Sequence, residues 1–311
     1  MKKILLVGSA NMDLSMNICR VPEPGETLLD DGGIAYTPGG KGANSAVAFA
    51  KLGADCVFCT KLGADAHGQK LFNYYKECGI NTSCIKVDPE APTGLAVVMK
   101  EADGANRIIV YPGANKTLTR ENVLDAFFTE PDALYIGFEI PFDIAVAAAK
   151  IASVKNIPIF VDAAPASKDY PLEMLPPVEV FSPNESETLE YTGIYPDTTE
   201  NCLKAALALS NRVKAKYIVI KLGSRGSFVF DGKHLDVIPA YRPDAVVDTT
   251  AAGDTFTAGL TLEYLRSYGN IKNAMRYGSA AAAIAVSRKG AGSSVPSEDE
   301  VIEFLRKRIN F

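Results

Sequence analysis

Ile4-Leu-Leu-Val-Gly8, followed at once by Ser9-Ala-Asn-Met-Asp13, is the stretch from which the architecture can be built. A run of apolar side chains without alternation belongs to a strand covered on both faces, as in the middle of a parallel sheet. Similar runs recur at Cys56–Thr60, Ala133–Ile136, Pro158–Val161, Glu179–Phe181 and Tyr217–Leu222. Between them Gly42–Leu52, Gln69–Cys78, Asp143–Val154 and Asn201–Val213 carry helical spacing. Strand alternating with helix predicts an α/β fold, a doubly wound and mostly parallel sheet with helices on both faces.

Two stretches break the rhythm. Leu14–Tyr36 holds Leu14-Ser-Met-Asn-Ile18 and Glu26-Thr-Leu-Leu29, separated by Pro22-Glu-Pro-Gly25. Thr93–Tyr111 reads as strands Gly94–Lys100 and Arg107–Tyr111 around the turn Asp103-Gly104. Neither has a helix to cover it, so together they predict a small projecting β-sheet, placed like a lid. After Ser227 come strands Phe228–Asp231 and His234–Ile238, then helices Gly253–Tyr268, Ile271–Ser287 and Glu298–Lys307. With no repeat or linker in between, residues 1–311 read as one domain whose lid strands come from about 14–36 and 93–111.

Composition narrows the partners. The chain has 37 acidic and 32 basic residues, a net charge of −5, which gives no footprint for nucleic acid. An anionic ligand must then be held by local features such as helix N-termini, backbone amides and a few Lys or Arg. The apolar start ends at Gly8, short of a signal peptide, and the longest apolar stretch, Ala280–Val286, is too short to span a bilayer. A cytoplasmic protein is expected. Cys56 and Cys59 form a C-x-x-C without a second pair, inside an apolar strand, where packing is the expected role.

Five segments carry chemistry. In Val247-Asp-Thr-Thr-Ala-Ala-Gly-Asp-Thr-Phe256, a strand-like Ala245-Val-Val247 runs through small residues into a helix. The first amides of that helix have no internal partners and suit an anion. Asp254 beside them either takes a proton from an attacking alcohol or caps the helix. Pro38-Gly-Gly-Lys-Gly-Ala-Asn44 opens another helix and offers donors to a polyhydroxylated or phosphorylated ligand, or makes a tight turn; it is not a Walker A loop. Asn11 and Asp13 stand at the carboxyl end of the first strand, where open α/β sheets bind ligands. Lys221-Leu-Gly-Ser-Arg-Gly226 suits nucleotide phosphates or a hairpin turn. In Pro183-Asn-Glu-Ser-Glu187 the acidic groups either orient hydrated Mg²⁺ or favour a helix start.

Taken in order, with Arg288-Lys-Gly-Ala-Gly-Ser-Ser-Val-Pro296 closing the set, these segments resemble the ribokinase family of carbohydrate kinases over nearly the whole chain. The resemblance implies an ATP-dependent sugar kinase, with a pentose, D-ribose first, as acceptor. Asn11, Asp13, Gly40, Lys41, Gly42, Ala43, Asn44 and Glu139 would line the sugar pocket. Asp254 would be the base, with Ala251, Ala252 and Gly253 as anion hole. Asn184, Lys221, Leu222, Gly223, Ser224, Arg225, Gly226, Gly253 and Ser279 would lie along ATP, with Glu187 near Mg²⁺ through water. A monovalent cation, K⁺, would sit by Asp248, Thr250, Ala285, Arg288, Gly290 and Ser294. The family's projecting sheet covers the sugar and often pairs two subunits, which implies a homodimer.

Three departures bear on the sugar more than on phosphoryl transfer. Asp162-Ala-Ala-Pro-Ala166 stands where the family commonly has Asn-Pro-Ala-Pro-Ala, Ser279 where it often has His, and Met12 is bulky between two pocket residues. Deoxyribose, another pentose and a nucleoside stay open as acceptors. A non-catalytic sensor would have lost the base or the anion hole, and a dinucleotide oxidoreductase would carry G-x-G-x-x-G; the chain does neither.

Overall fold

A computed structural model describes residues 1–30, 32–101 and 106–309. The turn expected at Asp103-Gly104 lies outside them.

The main sheet is built from β1 (Lys3–Val7), β4 (Asp55–Gly63), β5 (Ile85–Asp88), β8 (Ala133–Ile136), β9 (Ile159–Asp162), β10 (Val178–Ser182), β11 (Ala215–Lys221), β12 (Ser227–Phe230) and β13 (Leu235–Ile238). Their order is β13-β12-β11-β10-β9-β8-β1-β4-β5. Seven run parallel, and β12 and β13 add an antiparallel edge.

The central strand shows why continuous apolar runs were needed. Ile4 and Leu6 enter one core while Leu5 and Val7 enter the other, and all four are fully buried. Each such side chain contributes about 1.5–3 kcal/mol. The first core is closed by α1 (Lys41–Lys51), α2 (Ala66–Glu77), α7 (Ala252–Arg266), α8 (Ile271–Ala285) and α9 (Glu298–Ile309). The second is closed by α3 (Arg120–Ala126), α4 (Phe142–Val154), α5 (Glu185–Thr192) and α6 (Thr199–Ser210). Cys56 lies in the first core and Cys59 in the second, so strand alternation keeps their sulfurs on opposite faces.

A second sheet stands apart, in the order β3-β2-β6-β7. It consists of β2 (Asn11–Ile18), β3 (Ile34–Gly39), β6 (Gly94–Glu101) and β7 (Asn106–Tyr111). Two details differ from expectation. Glu26–Leu29 is not a strand; the partner of β2 is β3, running antiparallel to it. Ala245–Val247 is not a strand either, and Val246 and Val247 are exposed. Among the described residues no helix is long and apolar enough to cross a membrane.

Candidate active site

From β1 the chain moves through the second sheet to β4 and β5 on one side, then returns to β8 on the other. The crevice between β1 and β8 is therefore the switch point of the sheet, the place where such folds bind ligands. Its lip is the turn after β1, and α1 packs directly onto it. A Cβ on Gly42 would sit 2.5 Å from Ser9 N and 2.7 Å from Gly8 C, so only glycine allows this approach. Gly40, before the helix, has φ 90°. Ala43 N donates to Ser9 O at 2.9 Å, and Asn44 N to Gly40 O at 2.9 Å.

Glu139, from the loop after β8, accepts at one carboxylate oxygen from the Ser9 hydroxyl and, at 3.0 Å, from Lys41 N. Asn11 and Asp13, two residues apart, share one face of β2. Met12 between them is fully buried in the core, so its bulk does not enter the pocket. Burial pushes the Asp13 carboxyl up to about 7, and Glu139 adds to the rise. Asp13 Oδ1 is buried without a hydrogen-bond partner.

Asp254 lies across the crevice in the first turn of α7. It does not cap the helix: the capping position is Ala251, at φ 60°, and no side chain bonds there. Instead the carboxylate is 6% exposed and accepts from Asn44 Nδ2 at 3.1 Å. Burial raises it to about 6, with Lys41 opposing and Asp162 adding to the rise. Burial works against the Lys41 ammonium, yet Asp254, Asp162, Glu187 and Glu139 outweigh it and hold its pKa above the ordinary value. Ala252 N–H is already given to Thr249 O at 3.2 Å. The helix-start donors without an acceptor among the described residues are thus Ala251, Gly253 and Asp254.

Beside this turn opens a cleft of about 340 Å³. Of the residues expected along ATP, Lys221, Gly223, Ser224, Gly226, Gly253 and Ser279 line it. Leu222 is buried in the second core. Arg225 turns away to Glu185 and to the carbonyls of Pro196 and Asp197. Asn184 and Glu187 form a reciprocal cap on α5, Asn184 Oδ1 accepting from Glu187 N at 2.8 Å and Glu187 Oε2 from Asn184 N at 2.7 Å. Burial raises the Glu187 carboxyl, while Lys221 opposes.

Around the cation site expected from the sequence, Asp248 gathers the chain. Its Oδ1 accepts from Thr250 N and hydroxyl, and its Oδ2 from Gly290 N at 3.0 Å. Ala285 O accepts from Arg288 N, and the buried Ser294 hydroxyl donates to Ala291 O at 2.7 Å. The Arg288 side chain pairs outward with Glu300.

Some residues of the site gave no signal of their own. Ser9 joins Glu139 to the Gly42 amide, and Asn115 reaches Ala10 and Asn11. Asp162, seen only as a departure, is buried in an ion pair with Lys221, beside Tyr135 OH at 3.4 Å.

A buried carboxylate beside free helix-start amides, set between the turn at the switch point and a separate cleft of about 340 Å³, suits the transfer of a phosphoryl group to an alcohol. Comparison with known proteins agrees. Residues 1–298 match the description of the pfkB family carbohydrate kinases. The ribokinase of Haemophilus influenzae is 35% identical over 98% of this chain and 98% of its own. The deoxyribokinase of Salmonella typhi is 30% identical, covering 97% and 98%. The structure of Arabidopsis thaliana ribokinase complexed with ribose and ATP superposes with a TM-score of 0.88 at 31% identity, covering 98% of each chain. The chain belongs to the pfkB family of carbohydrate kinases and is an ATP-dependent sugar kinase of the ribokinase type.

Proposed function

We propose that the chain transfers the γ-phosphoryl group of ATP to the primary hydroxyl of a pentose, D-ribose first, giving the 5-phosphate. The observation that carries this is the pairing of Asn44 with Asp254, which joins the glycine-rich sugar loop to the helix turn beside the nucleotide cleft. Asn11, Asp13, Glu139 and residues 40–44 hold the sugar. Asp254 takes the proton, its raised pKa lying close to a working pH, as a general base requires. The free amides of Ala251, Gly253 and Asp254 hold the equatorial oxygens, and Lys221 faces the phosphates from the cleft wall. A second reading, 2-deoxyribose, is favoured by the deoxyribokinase relative.

Among the described residues no three carboxylate, His or Cys groups come together to bind a metal directly; Glu187, buried near Asp162 and Lys221, would hold Mg²⁺ through water as the ion arrives with ATP. Its chemistry, when bound, is to neutralise charge on the β- and γ-phosphates. Loop 248–250 and turn 288–294, drawn together by Asp248, fit a K⁺ ion held mainly by carbonyl oxygens. We further take residues 1–311 as one cytoplasmic kinase domain, the second sheet acting as a lid that excludes water and pairs two subunits as a homodimer.

ADP release measured across ribose, deoxyribose, fructose and nucleosides identifies the acceptor; ribose is expected to give the highest kcat/KM. Asp254→Asn is expected to lower kcat by about 100- to 10,000-fold with sugar affinity changed much less. Retention of most of the turnover would place the base elsewhere.

A further inference from the structure

Asn115 is 1% exposed and lies in the short turn Gly113–Thr117, just past the last place where the chain crosses between the two sheets. All its polar atoms are engaged. Oδ1 accepts from Ala10 N at 2.9 Å, and Nδ2 faces Asn11 Oδ1 at 2.8 Å, Pro112 O at 2.9 Å and Ala10 O at 3.2 Å. It therefore ties the first crossing, at Ala10, to the last, at Pro112.

The pattern also fixes which way each amide points. A backbone N–H only donates, so the Asn115 atom meeting Ala10 N must be its oxygen. The NH₂ group is then left for Asn11. An NH₂ only donates, so the Asn11 atom facing it must be the oxygen. Asn11 Nδ2 is thereby the group left for a ligand, on the same strand face as the acceptor carboxylate of Asp13.

We infer that Asn115 is a positioning residue for sugar recognition: it locks Asn11 as a hydrogen-bond donor toward a hydroxyl of the sugar. A hydroxyl between the two can then accept from Asn11 and donate to Asp13, and an analogue lacking it leaves both unpaired. The inference rests on the placing of Asn11 in the sugar pocket made above.

The test is Asn115→Asp, close in shape, which keeps an acceptor for Ala10 N but turns the group facing Asn11 into a second acceptor. Asn11 must then reverse its amide. The sugar KM is expected to rise about tenfold, with the ATP KM unchanged and kcat altered much less. In an Asn11→Ala background the same change is expected to shift sugar KM by less than about twofold. Thermal melting checks folding, and Asn115→Ala replaces the Asp variant if that does not fold. The inference is overturned if Asn11→Ala raises sugar KM while the Asn115 variant leaves it unchanged. A full effect persisting without Asn11, or a parallel rise in ATP KM, also overturns it. An Asn11→Ala enzyme with normal sugar KM removes Asn11 from the pocket and takes both readings down together.

Discussion

Asp13 carries a cost to the stability of the folded chain. Its carboxyl ordinarily titrates near 3.8 but is held at about 7 in the folded chain, chiefly by burial. Between those values the unfolded chain releases the proton while the folded chain retains it. Stability is therefore fully present below about pH 4 and is lost as pH rises toward 7. Asn at this position cannot ionise. Asp13→Asn is expected to be more stable than the parent at pH 8 by about 1–3 kcal/mol, with its sugar binding impaired. The difference should shrink toward pH 4, as thermal melts of both proteins at the two pH values would reveal. An advantage that stayed constant across pH would assign the effect to something other than the carboxylate.

Elements meet backbone to backbone where α1 lands on the end of β1. Gly42→Ala would drive a methyl group against the backbone of Gly8 and Ser9, with no flexible side chain to give way. The expected cost is about 1–3 kcal/mol, together with lost turnover as Asn44 is carried away from Asp254. Denaturant melts and kinetics of this one variant check both halves. The glycines around Lys41 marked this junction in the sequence, and the unalternating runs marked the parallel strands, because double-sided burial leaves no room for polar residues. What could not be read was set by partners far along the chain. Ile34–Gly39 carries a proline and ends in glycines, which read as a break, and only pairing with β2 makes it a strand. Ala245-Val-Val247 has the residues of a strand, but Val246 instead lines the cleft beside α7. Asn115 sits 105 residues from Ala10, and nothing local betrays that contact.

Across the whole molecule, the second sheet leaves apolar side chains uncovered on both faces, Ile108 and Val110 on one, Ile34 and Ile109 on the other. Register places Ile108 and Val98 on the same face as Asp13, whereas Tyr36, on the opposite face, stacks on His67 of α2. Ile108 is 60% exposed, more apolar surface than a solvated strand needs. If this face pairs two subunits, Ile108→Glu is expected to shift sedimentation from dimer to monomer while circular dichroism stays unchanged. A parent chain that sediments as a monomer removes the pairing. The turn that opens α7 has a different consequence. If Asp254 is the base, it and the free amides of Gly253 and Asp254 lie in the first turn of α7 with Ala251 at its cap, so their spacing is set by one helix start and not by the second sheet. On the proposed reading, acceptor choice belongs to separate parts of the chain, around residues 11–13 and 40–44, Asn115 and Glu139. On that reading, re-engineering the enzyme for a new alcohol can be confined to those parts, with the turn at residues 251–254 carried over intact.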